Sequence, residues 1–172
     1  MKATELLDLL RLFYRHKLTM LRRHEAAARY VSDYDFNNTY QYVIAREEMH
    51  VSWVADAILD VLAAMGQPST HAQLETVSAP AISLSGKGAD AERTVITQDR
   101  DGAQAFIDEW RPKVQAMTHA RHRTMLNVVL GETLEHKRFF EQALAGRTDL
   151  LGRRADGAGT GGGVLPTRWI EQ

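Results

Sequence analysis

Two short stretches combine carboxylates with imidazoles at spacings that could serve one site: Glu47-Glu48-Met49-His50 and Glu132-Thr133-Leu134-Glu135-His136. On a helix turning about 100° per residue, Glu47 lies at the centre of an apolar stripe, with Val51, Val54, Ile58 and Met65 within about 40° of it. His50 falls about 60° to one side and one turn along, whereas Glu48 lies about 100° away and should meet solvent or the stripe's edge. A carboxylate in the middle of a core-facing stripe is costly unless something pairs with it. Glutamate and histidine three residues apart put an oxygen and an imidazole on adjacent turns of one face, which suits a shared metal ion.

The second stretch gives a related geometry. The face that carries Met125, Val129, Phe140 and Ala143 also carries His136. Glu132 stands one turn earlier at its edge, and Glu135 points away. His122 shares this face but lies about 21 Å along the axis from His136, too far to share an ion. Nearer the N-terminus, His24 falls between Met20, Ala27 and Val31 at the centre of another stripe. Glu25 turns outward there, and His16 and Lys17 lie on the two borders. A chain reversal near residues 35–36 would bring His24 and Glu47 to the same depth. His24, Glu47 and His50 then converge on one level, and Glu132 and His136 can join them. Two carboxylates and three imidazoles are a donor set for non-haem iron or manganese. The metal-free alternative is a set of buried Glu–His hydrogen bonds, with His24 and His136 as satisfied core histidines.

The elements that must position these residues are helical, and the fold class is all-α. Periodicity predicts a first helix from Thr4 to about Val31, capped by Thr4 with Glu5 in the favourable first turn. A polar stretch, Ser32 to Asn38, follows. Asn38 then caps a second helix, with Gln41 in the capping-box position, and Gly66 and Pro68 end it. The two form an antiparallel hairpin whose turn is packed by Tyr30, Tyr34, Phe36 and Tyr40. Residues 67–100 lack helical period and are too long for a hairpin turn, which suggests a crossover along the length of a bundle. Asp101 with Gln104 starts the next helix, Pro112 kinks it or opens a new one, and Gly146 closes the pattern. Two arrangements fit: two helices meeting near Thr118–His122, or a short helix before one long one, which a second subunit would complete. Trp53 and Trp110 read as helix-packing residues, and His119–Arg123 as a solvated basic face.

Domain organisation follows as a bundle over 1–146, with its crossover at 67–100, and a glycine-rich tail over 147–172. The tail ends in an apolar cluster of Val164, Leu165, Trp169 and Ile170. Such a cluster suggests docking on the protein's own body, a neighbouring subunit or a separate protein such as a compartment shell.

The stretches Arg46-Glu47-Glu48-Met49-His50-Val51-Ser52-Trp53 and Gly131-Glu132-Thr133-Leu134-Glu135-His136-Lys137-Arg138-Phe139-Phe140 resemble the second and fourth helices of ferritin-like proteins, rubrerythrins especially. The likeness covers roughly residues 4–146. It implies a ferritin-like antiparallel helical bundle whose carboxylate-bridged dimetal centre handles oxygen, peroxide or stored iron. Glu47 and His50 match that family's Glu-x-x-His. In the second copy Glu135 holds the histidine position and His136 stands one place later. His24 occupies the inward position on the first helix, and Glu109 is the nearest counterpart of the third-helix glutamate.

Composition sets the outer limits. The chain has 172 residues, 21 Lys plus Arg against 22 Asp plus Glu, a formal charge of -1, seven histidines and no cysteine. The charge balance gives no electrostatic case for nucleic acid or an anionic membrane as partner. The cysteine count excludes thiolate metal sites, disulfides, cysteine nucleophiles and a rubredoxin-like module. No signal peptide or membrane-spanning run is legible, so a cytoplasmic location is expected. The leading expectation is one or two ions of iron, or manganese, held by Glu47, His50, Glu132, His136 and His24. If the chain is an enzyme, its reaction is oxidation by oxygen or peroxide; no catalytic residue can be named. The alternative is a metal-free ferritin-like scaffold acting as an interaction protein. A homodimer is expected in either case.

Overall fold

The computed structural model describes residues 2–151. Four long helices account for most of them: α1 (Ala3–Ala27), α2 (Tyr34–Ala64), α3 (Ala89–Gln115) and α4 (Ala120–Leu144). No strand occurs among the described residues. Nor is any described helix long and apolar enough to cross a membrane. The tail cluster from Val164 to Ile170 lies outside the described residues.

Helix boundaries differ from the sequence expectation at three starts. α1 opens at Lys2 rather than Thr4, with the Glu5 carboxylate accepting from the Lys2 backbone N–H at 2.8 Å. α2 opens at Asp33, five residues before the expected cap Asn38, because the Asp33 carboxylate accepts from the Phe36 N–H at 2.8 Å. Aspartate at this position satisfies one of the free donors of the first turn. α3 begins at Ala89 rather than Asp101, so the irregular connection is shorter than 67–100. Gly86 and Gly88 just before it have φ of +79° and +56°, left-handed values that favour glycine. The polar run Ala89–Arg100 hid a helix whose inward face is Ala91, Val95, Ile96 and Asp99. Between the two arrangements left open for residues 101–145, the structure has two helices. Pro112 lies inside the last turns of α3, and the chain breaks over residues 116–119.

α1 and α2 form one antiparallel pair and α3 and α4 another. Phe13 of α1 meets Phe106 and Trp110 of α3 edge-on, with ring centroids 5.2 and 4.8 Å apart. Ten residues later Arg23 meets Asp99, so α1 and α3 also run antiparallel. On the other side Asp60, Arg46 and Phe36 of α2 meet Arg121, Glu132 and Phe140 of α4. Residues 65–88 touch the body along their length. Glu75 holds Arg15, Leu74 and Val77 pack on one apolar cluster, Ile82 packs on another, and the Ser83 carbonyl accepts from Gln98.

The interior is divided. One cluster joins Leu6, Leu10, Phe13, Ile58, Leu62, Trp110, Leu126 and their neighbours. A smaller one joins Ala27, Val31, Phe36, Tyr40, Val43, Val95, Ile96 and Phe140 near the α1–α2 turn. Between them every helix contributes buried polar side chains: Lys17 and His24, Glu47 and His50, Asp99, Thr133 and His136. Tyr34, expected to pack the turn, is 78% exposed instead, because α2 starts at that residue and its side chain leaves the inward face. Phe13→Ala should therefore cost about 3–5 kcal/mol in urea denaturation, whereas Tyr34→Ala should stay within about 0.5 kcal/mol of wild type. Similar losses at both positions would contradict this packing.

Candidate functional site

Glu47 is the hub of the polar layer. Its inward direction follows from the stripe on α2, and it is fully buried. Oε1 accepts from Lys17 Nζ at 2.7 Å, and Oε2 pairs with His24 Nδ1 at 2.6 Å. Lys17 Nζ also donates to Thr133 Oγ1 at 3.1 Å and lies 5.4 Å from the Phe106 ring centroid. Thr133 in turn donates to the Val129 carbonyl at 2.8 Å, a local bond back along α4. The ammonium thus meets a carboxylate, a hydroxyl and an aromatic face, with nothing left to solvent.

His24 links this hub to a second carboxylate. Its Nε2 lies 3.9 Å from Asp99 Oδ1. Asp99 accepts from Arg23 Nε at 2.5 Å and from the Tyr40 hydroxyl, and Arg23 continues to Gln98 Oε1 at 2.8 Å. Burial favours a neutral His24 ring, but the charges of Glu47 and Asp99 outweigh it and raise the pKa above 6.5. Burial would also raise Glu47, yet the positive charges of His24 and Lys17 hold it well below the usual carboxylate range. Tyr40 is kept neutral by burial and by the charge of Asp99.

His50 joins the partly exposed Glu132 in a second group, and His136 lies between that group and Glu47. Glu132 takes a two-pronged bond from Arg46, at 2.9 and 2.5 Å, and pairs with His50 Nε2 at 2.8 Å. The His50 and His136 rings lie nearly parallel, 22° apart, with centroids separated by 6.0 Å. His136 Nδ1 is 3.8 Å from Glu47 Oε1, too long for a hydrogen bond. Both His50 Nδ1 and His136 Nδ1 are buried without a partner. Burial, reinforced by Lys17, pushes His50 down to about 4, and burial likewise lowers His136. Both rings are therefore neutral near pH 7.

Of the five expected ligands, Glu47, His24 and His136 share one group and His50 and Glu132 the other. Glu109 belongs to neither; it is partly exposed and pairs with Lys113 and His16. His122 pairs with His119 through their Nδ1 atoms, away from the layer. Residues that the pattern left aside complete the network: Lys17, Arg23, Tyr40, Asp99, Thr133 and Arg46. A signal for Lys17 was present. Leu10, Lys17, His24 and Val31 are seven apart, which puts Lys17 on the inward line of α1 and not on its border. Asp99 escaped because the helix that aims it inward was placed too late.

These residues do not fit a resident metal ion in their present arrangement. Both oxygens of Glu47 are engaged, and the Lys17 ammonium occupies the place beside Oε1 that a cation would take. A divalent ion about 2.0–2.2 Å from that oxygen would overlap the ammonium and be repelled by it. Among the described residues no group of three or more His, Asp or Glu side chains is arranged to hold a metal.

Comparison with known proteins found no matching family model, curated protein or solved structure.

Two outcomes follow from the layer. Lys17→Met leaves a buried carboxylate short of one counter-charge and should cost about 3–5 kcal/mol. Adding Glu47→Gln should recover part of that loss, a non-additivity readable in urea denaturation. An additive double variant would mean that the two side chains do not interact.

The pH dependence has a defined sign. The contribution of His24 is complete below pH 6.5 and fades as pH rises through its raised folded value. That of Glu47 is present above 4.5 and is lost as pH falls through its lowered folded value. His50 stays neutral in the folded chain down to about 4, so the unfolded chain gains a proton first as pH falls below 6.5, and stability drops. His50→Phe should reduce the slope of the stability curve between pH 6.5 and 4.5, leaving the smaller acid losses from His136 and His122 and the alkaline loss from His24. An unchanged acid limb would show that His50 is not the buried neutral base.

Proposed function

We propose that the chain is a ferritin-like four-helix bundle that keeps its interior without a resident metal and acts as a non-enzymatic interaction scaffold. The observation that carries this reading is the fully buried Lys17–Glu47 pair at 2.7 Å. It supplies from within the chain the positive charge that a core carboxylate requires. The ferritin-like part is supported by the Glu47-x-x-His50 stretch, the two antiparallel helix pairs and the long connection over 65–88, read as a crossover.

The partner this reading calls for is a second copy of the chain, and a separate protein is proposed as the partner of the segment 152–172. Met49 and Val128 are each more than 40% exposed, one turn from Arg46 and Glu132 respectively, and supply apolar area on α2 and α4 for such contact. The reading places the protein in the cytoplasm, with neither nucleic acid nor membrane as partner.

A second reading is favoured by one observation. His50 and His136 each keep an unpartnered buried Nδ1. Iron or manganese held by Glu47, His50, Glu132, His136 and His24 would use such nitrogens, with the bundle serving oxidation by oxygen or peroxide. That arrangement requires Lys17 to leave Glu47.

Elemental analysis of the protein as purified, followed by anaerobic ferrous titration, separates the two readings. The scaffold reading expects less than stoichiometric iron or manganese after dialysis and no saturable ferrous binding. Stoichiometric iron that is lost in Glu47→Gln would replace it with the metal reading. Sedimentation velocity at micromolar concentration should give a dimer, and a monomer at every concentration would remove the second-copy partner.

A further inference from the structure

We infer that Lys17 acts as a built-in substitute for a metal ion, filling a cage formed by Glu47, Thr133 and His136 beside His50 and thereby keeping divalent cations out. The inference rests on the metal-free reading above and names the group that enforces it. Lys17 Nζ lies 2.7 Å from Glu47 Oε1 and 3.1 Å from Thr133 Oγ1, with no exposed surface. These are distances from an ammonium to its acceptors, and the acceptors are oxygens that hard or borderline cations also take.

The rest of the cage is that of a donor set with one member missing. His136 Nδ1 is buried, unpartnered and 3.8 Å from the same Glu47 oxygen. Two donors on one tetrahedral ion with bonds of about 2.0–2.1 Å stand about 3.4 Å apart. A shift of a few tenths of an ångström would therefore let Glu47 Oε1 and His136 Nδ1 share an ion. The His50 ring stacks on that of His136 and adds a second unpartnered nitrogen. Glu47 Oε2 remains on His24, in the way an outer histidine–carboxylate contact orients a ligand. Orphaned imidazole nitrogens inside a core are unusual, because buried polar atoms are generally paired. A cage shaped for a cation, with lysine supplying the charge through only some of its donors, accounts for the orphan on His136, which lies closest to the Glu47 oxygen; the third unpartnered ring nitrogen, His122 Nε2, lies outside the layer.

The test is to remove the internal cation and offer zinc. Lys17→Ala takes away the ammonium and opens space beside Glu47. It should bind one Zn²⁺ per chain, at least on the order of 100-fold more tightly than wild type, since a unit charge about 4 Å away at an effective dielectric of about 20 opposes binding by more than that factor. The cobalt form should show the absorption of a four- or five-coordinate ion with nitrogen ligands. Adding His136→Ala should abolish both effects. If Lys17→Ala does not fold alone, Zn²⁺ should restore its helical circular dichroism, because binding to the folded cage is linked to folding.

The inference is overturned if folded Lys17→Ala binds Zn²⁺ no more tightly than wild type, or if an unfolded Lys17→Ala is not rescued by it. Stoichiometric iron or manganese in the dialysed wild type is a different result, and it would overturn the metal-free reading whatever the variant does.

Discussion

A carboxylate placed at the centre of a helix bundle has to be neutralised, and much of this structure can be read as the answer to that requirement at Glu47. Its position on α2 is dictated by the apolar stripe around it, so it cannot turn to solvent without turning Val54 and Ile58 out with it. Lys17 reaches it from α1, His24 takes its other oxygen, and Thr133 from α4 accepts the spare donor of the lysine. Three helices are thereby tied at one level by groups that lose their partners if any helix slides by a turn. Apolar contacts alone tolerate sliding far better, since they are not directional.

That level separates the two apolar clusters. Phe13, Phe106 and Trp110 interlock on one side of it, and Phe36, Tyr40 and Phe140 on the other. Tyr40 belongs to both worlds, with its ring in the smaller cluster and its hydroxyl on Asp99. Asp99 carries the chain of charge outward through Arg23 to Gln98, while Arg46 and Glu132 form the partly exposed rim on the α2–α4 side. The polar layer therefore spans the bundle from one side to the other, with its most buried ion pair in the middle. Buried ion pairs often add little net stability over an apolar core of the same volume. Their contribution in such a position is to alignment, because each one specifies which level of one helix faces which level of the next.

The same arrangement bears on chemistry. A site that handles oxygen or metal needs an open coordination position or an approach for substrate, and Glu47 has neither while Lys17 and His24 engage both its oxygens. Its charge is already spent on groups from the same chain. The unpartnered nitrogens of His50 and His136 show where the layer is incomplete, between Glu47 and the Arg46–Glu132 pair that His50 Nε2 contacts.

Periodicity by itself determined the all-helical class, the α1–α2 hairpin, the stop at Gly66 and the inward direction of Glu47, His24, His50 and His136. Each is a local property, set by the 3.6-residue turn and by which neighbours on the same helix are apolar. The starts of α2 and α3 were less legible. The Asp33 cap competes with Asn38 in the sequence, and the run Ala89–Arg100 is too polar for its stripe to stand out. What only the tertiary structure decided is which atom answers Glu47. A helical wheel gives a residue's direction about its own axis, but it says nothing of the levels at which four helices align or of how far a long side chain reaches across the gap. Lysine is legible as a surface residue because its charge prefers water. Here its four-carbon stem lies in the interior and its ammonium ends on a carboxylate of another helix, a pairing that exists only once α1, α2 and α4 are packed together.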